Sequence, residues 1–216
     1  MELVLCRHSE TDYNKEKRYQ GRTDNPLNGN GIAQAKLIGE KLSAEKFYAA
    51  FTSPLRRCTQ TAEQILSFQK GLNSTSLEAL IELDYGLFSG LTPKEITQKF
   101  PGEWEKKVEN PYEFVHPNGE SYKGVDERRV RPLLAEFREK YASRKILVVT
   151  HQGTGRLIIG SMLGLSPKEK MEISIPNDCI YSIEYRPHKT AVKYFLAETG
   201  AEGSGYLERN LSEQFV

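Results

Sequence analysis

The chain has 216 residues, 30 basic against 29 acidic, which is length enough for a full hydrophobic core without a disulfide or metal staple. Balanced charge argues against a nucleic-acid or polybasic membrane role, and no apolar run reaches the length of a membrane span. Met-Glu-Leu-Val-Leu opens a strand, not a signal peptide, and Cys6, Cys58 and Cys179 are expected as buried free thiols of a cytoplasmic protein.

Leu3-Val4-Leu5-Cys6 predicts a strand buried on both faces, and it stops at Arg7 and His8. Ligands of open α/β sheets bind at the carboxyl ends of strands, and there a cation beside a potential nucleophile suits chemistry on an anion. Asp12 to Asn28 is polar and predicts a loop over this strand end, carrying Asn14, Gln20, Gly21 and Arg22. Ile32, Ala35, Leu37, Ile38 and Leu42 recur at helical spacing and predict a helix from Gly31 to about Ser43. Phe47 to Thr52 predicts a second strand. Ser53-Pro54 then predicts a helix start, with Ser53 as N-cap and Pro54 in the first turn. This helix turns Leu55, Cys58, Ala62, Ile65 and Leu66 inward and sets Arg56 and Arg57 near the positive end of its dipole, Arg56 as part of a solvated turn.

Leu77 to Leu83 is a third apolar segment, and Glu82 stands near its end. Residues 87–122 read as an inserted flap with a short helix over Pro93 to Phe100. Its aromatics are expected chiefly as staples to the body, with Trp104, Tyr112 and Lys123 as candidate substrate contacts. Val125 to Tyr141 returns to helical periodicity, with Pro132 as a kink or as the true start. Lys145 to Thr150 predicts another buried strand, ending at His151, and Gly153-Thr154-Gly155 leads into an apolar helix over Leu157 to Leu163. Ile180 to Tyr185 and Ala191 to Ala197 predict two strands joined by Arg186-Pro187-His188-Lys189, and residues 198–216 predict a loosely held tail. Strands alternating with helices predict an α/β fold, three-layer α/β/α with a largely parallel sheet, as a single domain over residues 1–216 with an inserted flap.

Two strands thus end in a histidine, a third apolar segment ends near Glu82, and a helix start adds Arg57. In this order the sequence resembles the histidine phosphatase superfamily, which includes the cofactor-dependent phosphoglycerate mutases. The Arg-His-Gly-Glu-Thr signature of that family is matched by Arg7-His8-Ser9-Glu10-Thr11, with Asn14 following. Its Ser-x-Leu-x-Arg-Ala pattern is matched by Ser53-Pro54-Leu55-Arg56-Arg57-Cys58, which selects Arg57. Glu82 fits the family's acid position, Thr150-His151-Gln152-Gly153 its second-histidine motif, and Gln20-Gly21-Arg22 through Leu27 its first loop. Ser9 and Gln152 stand where the family has glycine, and a side chain at position 9 is free of strain only if its φ is negative.

The resemblance implies catalysis by His8, Glu82 and His151, and phosphate binding by Arg7, Arg57 and Asn14. Gln20, Gly21, Arg22 and Gln152 are possible substrate contacts. The chemistry agrees. Phosphoryl transfer needs an in-line nucleophile and cations around the equatorial oxygens. Neutral imidazole is available near pH 7, and flanking arginines disfavour its protonation. The second ring nitrogen of His8 is expected to donate to a backbone carbonyl, fixing the tautomer. His151 and the backbone N–H groups near Gly153 are expected to donate to phosphate oxygens. Glu82 is the expected general acid for the leaving alkoxide and later the base for water.

Two histidines and a carboxylate also compose a facial-triad metal site, but fixed cations such as Arg7 and Arg57 repel a divalent metal, and no metal or other cofactor is expected. A non-catalytic phosphate-binding module would lack the nucleophile or the acid, and both are present. A phosphoglycerate mutase is the alternative within the family. Mutases carry a longer insertion before the second histidine, whereas about seventy residues separate Glu82 from His151 here, as in the phosphatase branch. The expectation is a metal-independent phosphomonoesterase whose partner is a small phosphorylated metabolite, neither nucleic acid nor membrane.

Overall fold

The computed structural model describes residues 1–186 and 189–208. Its strands in chain order are β1 (Glu2–Arg7), β2 (Ala49–Thr52), β3 (Ser74–Ser76), β4 (Lys145–Thr150), β5 (Ile173–Ser174), β6 (Cys179–Arg186), β7 (Lys189–Leu196), β8 (Glu202–Ser204) and β9 (Leu207–Glu208). The helices are α1 (Asp12–Lys15), α2 (Gly29–Lys41), α3 (Arg56–Leu66), α4 (Pro93–Lys99), α5 (Glu103–Glu109), α6 (Tyr122–Val125), α7 (Arg131–Lys140), α8 (Gln152–Leu163) and α9 (Pro167–Glu172), with a π-helical turn over Asp126–Val130.

Among the described residues, seven strands form one sheet in the order β3-β2-β4-β1-β6-β7-β8. From β3 to β1 the pairing is parallel, and β6, β7 and β8 extend the sheet antiparallel. The apolar run of β1 alternates between two cores, as the period of two requires. Leu3 and Leu5 pack with Leu133, Leu134, Phe137, Leu157 and Ile158 on one face. Val4 and Cys6 pack with Ile38, Cys58, Ala62 and Ile65 on the other. Helices α2 and α3 therefore cover one side, α7 and α8 the other, which is the expected α/β/α layering. The three thiols are buried and unpaired.

Several local expectations are corrected. The loop after β1 contains a short helix, α1, closed by a capping box between Thr11 and Asn14. Ser53 is not the N-cap of α3; that position falls to Leu55, which makes no side-chain cap bond. The side chain of Asp24 instead accepts from Arg56 N at 2.7 Å, so the loop between α1 and α2 caps the helix. The third strand lies at Ser74–Ser76, before the apolar segment, and Leu77 to Leu83 is irregular around a 3₁₀ turn, with Leu80, Glu82 and Leu83 buried. In the flap, Glu103–Glu109 is helical where irregular chain was expected. Phe88, Trp104, Tyr112 and Tyr122 belong to the same core cluster as Leu3 and Leu5, so the aromatics do staple the flap to the body. The tail is not loose over its described part: β8 pairs with β7, and β9 with β5. Pro187, His188 and the tail beyond Glu208 lie outside the described residues.

Pro132 explains the break before α7. It lacks the N–H that would bond the carbonyl of Arg128, and the preceding turn widens so that Arg131 N–H bonds the carbonyl of Asp126. Asp126 is fully buried and accepts from Lys170 Nζ at 2.7 Å, Tyr112 Oη at 2.8 Å and Ser161 Oγ at 2.9 Å. Burial pushes its carboxyl up, but the bonds from Lys170 and Tyr112 outweigh burial and hold it below its ordinary value. Its stabilisation is thus present above the ordinary aspartate range and is lost as pH falls through the lowered folded value. Lys170→Met strands this carboxylate with the exposed Arg131 as its remaining cation, and urea unfolding should show a loss of about 3 kcal/mol. Asp126→Asn in the same background should recover part of it.

Candidate active site

The parallel pairing of β1 with β4 runs in the register Arg7↔Thr150, and His8 N–H bonds the carbonyl of Thr150 at 2.8 Å. His8 and His151 therefore leave neighbouring strands at one level, with ring centroids 5.2 Å apart. His8 Nδ1 lies 2.8 Å from the carbonyl of Ser9. A carbonyl only accepts, so Nδ1 carries the proton and Nε2 the lone pair. Burial, then Arg57 and Arg7, hold the His8 imidazole well below its ordinary protonation range. Ser9 itself is unstrained: among the described residues, Lys17 and Asn118 are the non-glycine positions with positive φ.

Arg57 is completely buried. Its two terminal nitrogens donate to the carbonyls of Gly21 and Thr23, each at 2.7 Å, and its Nε donates to His151 Nδ1 at 3.2 Å. The first of these bonds depends on Gly21, whose φ of +53° suits glycine and where a Cβ would stand 3.1 Å from the Tyr85 ring. Because Nδ1 of His151 accepts, its Nε2–H donates to Ser53 Oγ at 2.8 Å. Both His151 nitrogens are thus engaged within the protein, and the expected donation from His151 to phosphate is not the arrangement seen; its ring orients Arg57 instead. Burial, then Arg57 and His8, keep this imidazole neutral as well. Cys58 Sγ sits 3.4 Å from His151 Nε2, and burial pushes its thiol up to about 12, which leaves an uncharged wall beside the ring.

Arg7 donates to the carbonyl of Ile175 at 3.0 Å and to Gln152 Oε1 at 3.3 Å. Burial brings it down to about 10, so it stays a cation at neutral pH. Its Nε is buried without a hydrogen-bond partner. Gln152 Oε1 also accepts from Ile175 N at 3.0 Å, so the side chain that replaces glycine here ties Arg7 to the segment after β5.

Glu82 is 5% exposed and accepts from the backbone N–H of Leu83, Gly153 and Thr154 at 2.8, 2.9 and 3.0 Å. The first free N–H groups of α8 therefore serve Glu82, not a phosphate as expected. A Cβ on Gly153 would come within 2.6 Å of Glu82 Oε1, so this contact requires glycine.

These side chains converge on one cleft lined by Arg7, His8, Asn14, Gln20, Gly21, Arg57, Glu82 and Gln152, together with Arg18, Tyr19, Tyr85, Lys107, Pro111, Tyr122 and Arg156. Asn14 Oδ1 closes the α1 capping box, which leaves its amide N–H groups as donors. His151 stands directly behind the cleft. Arg22 does not line it: two carboxylates draw its guanidinium outward, Glu120 at 3.2 Å and Asp84 at 3.9 Å. The flap contributes Lys107, Pro111 and Tyr122 in place of the expected contacts. Trp104 is packed in the core, Tyr112 is spent on Asp126, and Lys123 pairs with Glu113 on the surface. Sequence reasoning missed Arg156, 2% exposed, although a cation between Gly155 and Leu157 in an apolar helix was a legible signal. Lys107 carried no such mark.

The profile of the histidine phosphatase superfamily (branch 1) matches residues 3–197. Phosphoserine phosphatase 1 of Hydrogenobacter thermophilus is 31% identical over 96% of this chain and 97% of its own. The 2,3-bisphosphoglycerate-dependent phosphoglycerate mutase of Brucella melitensis is 33% identical over 84% and 91%. The crystal structure of the alpha-ribazole phosphatase from Shigella flexneri superposes with a TM-score of 0.81 at 25% identity, over 88% of this chain and 93% of that one. With the family profile spanning the fold and the cleft alike, the chain belongs to the histidine phosphatase superfamily.

Proposed function

We propose that the protein is a phosphomonoesterase that passes the phosphoryl group of a small phosphorylated metabolite to His8 and then to water, with arginines instead of a metal ion countering the phosphate charge. The observation that carries this reading is the neutral His8, its Nδ1–H given to a backbone carbonyl, in a cleft with the buried guanidinium groups of Arg7 and Arg57. In the first step His8 Nε2 attacks phosphorus and the P–O ester bond breaks. Glu82 gives its proton to the leaving oxygen. In the second, water loses a proton to Glu82 and attacks the phosphohistidine; the N–P bond breaks and its electron pair returns to Nε2. Arg7, Arg57 and Asn14 face the phosphoryl oxygens throughout.

The cleft also speaks to the substrate. Its lining holds five cations, Arg7, Arg18, Arg57, Lys107 and Arg156, against the single carboxylate of Glu82. Arg18 is compensated by Glu16 and Glu95, each at 2.7 Å. Arg156 has no ion pair among the described residues, and its buried Nε lacks a hydrogen-bond partner. A substrate with a second anionic group, such as a carboxylate, suits this excess, and phosphoserine, named for the Hydrogenobacter relative, has one.

Rapid quenching with a radiolabelled phosphate ester should trap an acid-labile, base-stable phosphoenzyme that His8→Ala does not form. With 3-phosphoglycerate the label should leave as inorganic phosphate; its recovery in 2-phosphoglycerate would move the protein to the mutase branch. The imidazole NMR signals of His8 should not titrate between about pH 6 and 8, because burial and two arginines oppose its protonation. A titration near the free value of about 6.5 would contradict the neutral nucleophile. Arg156→Gln should raise KM for phosphoserine roughly tenfold or more, the scale of one lost charge-assisted hydrogen bond, and leave KM for nitrophenyl phosphate nearly unchanged. Equal effects on both esters would remove Arg156 from substrate recognition.

A further inference from the structure

Glu82 sits on chain that no strand ladder holds, beyond a 3₁₀ turn and before the flap. A proton donor needs its carboxylate placed to within a fraction of an ångström, and such a loop does not supply that by itself. Two side chains bind the peptide on its amino side. The carbonyl of Ile81 accepts from Thr154 Oγ1 at 2.7 Å and from an Arg129 terminal nitrogen at 3.1 Å. The other terminal nitrogen of Arg129 donates to Glu120 Oε2 at 3.0 Å. That same oxygen accepts from Asp84 N at 3.1 Å, on the carboxyl side of Glu82. Glu120 N–H in turn donates to the carbonyl of Asp84 at 2.8 Å. Arg129 and Glu120 therefore bracket Glu82 from both sides.

Arg129 reaches this position from the π-helical turn, whose first residue, Asp126, is moored in the core by Lys170 and Ser161. The turn is a fixed platform. The forked guanidinium uses its two ends at once, one on a carbonyl and one on a carboxylate, which a lysine does not do. Arg22 closes the outer side of Glu120 at 3.2 Å and so joins the loop holding Arg57 to the same bracket. Arg129 does not line the cleft and its Nε is buried without a partner, so its reach to the Ile81–Asp84 segment is what the placement serves.

We propose that Arg129, braced by Glu120, is a positioning residue that holds Glu82 in place to protonate the leaving group. The proposal rests on Glu82 as proton donor, and its test separates the two ideas. Phosphorylation of the enzyme is timed with phosphoserine, whose leaving alkoxide needs a proton, and with nitrophenyl phosphate, whose phenolate does not. Arg129→Ala should slow the first by up to about a hundredfold, the scale of an ångström's misplacement, and the second by only a few fold. Combined with Glu82→Gln it should add no further loss, since a displaced donor and an absent one are equivalent. Glu120→Gln, a milder change, should show the same selectivity, which covers the case in which Arg129→Ala does not fold. Equal slowing of both esters by these variants, or losses that multiply in the double variant, would overturn the positioning role while Glu82→Gln alone stays selective. Equal slowing by Glu82→Gln itself would overturn the proton-donor reading, and this proposal with it.

Discussion

The parallel register of β1 against β4 is the constraint on which the rest of the site depends. Because Arg7 stands opposite Thr150, the two strands end level, and the residue after each is a histidine. A slip of one residue would send the alternating side chains of β1 to the wrong cores, Leu3 and Leu5 exchanging faces with Val4 and Cys6. Core packing thus enforces the register, and the register brings the imidazoles together. The chain leaving β4 then starts α8, whose first N–H groups reach Glu82 across the same edge. Helix α3, packed on the opposite face of the sheet, delivers Arg57 between them.

The arginines divide by what holds them. Arg7 and Arg57 are oriented mainly by backbone carbonyls, those of Ile175, Gly21 and Thr23. Arg18, Arg22, Arg129 and Arg131 are held by carboxylates. A carbonyl dipole orients a guanidinium without neutralising it, so the first pair keeps its charge. Burial first, and that retained charge second, hold both imidazoles well below their ordinary protonation range. The four paired arginines keep the flap, the π-helical turn and the loop after β1 in place.

The two departures from the family signature have different consequences. Ser9 fits without a positive φ, its N–H bonded to Thr61 Oγ1 at 3.0 Å and its hydroxyl 3.4 Å from the carbonyl of Asn177. Gln152 adds a bridge between Arg7 and the strand β5, whose other partner is β9 of the tail. Position 152 therefore couples the Arg7 end of the cleft to a segment that the family motif alone does not reach.

Much of this was legible in the sequence. Buried parallel strands announce themselves as short unbroken apolar runs, so β1 and β4 and the histidines that end them could be read directly. So could α2, α3 and α8 by their periodicity; Arg57, which the family pattern selects over Arg56, is the one that lies buried against the cleft, while Arg56 is exposed. What the sequence did not hold were interactions between distant positions. Ser53 reads as a helix cap, yet His151 claims its hydroxyl from 98 residues away. The N–H groups of α8 read as a phosphate site, yet Glu82 reaches them first. Arg22 reads as part of the cleft, yet Glu120 turns it outward. The tail reads as loose, yet β7 and β5 pair with it. Local pattern fixes which residues turn inward, because periodicity is a property of neighbouring positions. Which partner a buried polar group takes depends on distance and competing donors across the fold, and only the tertiary structure decides that.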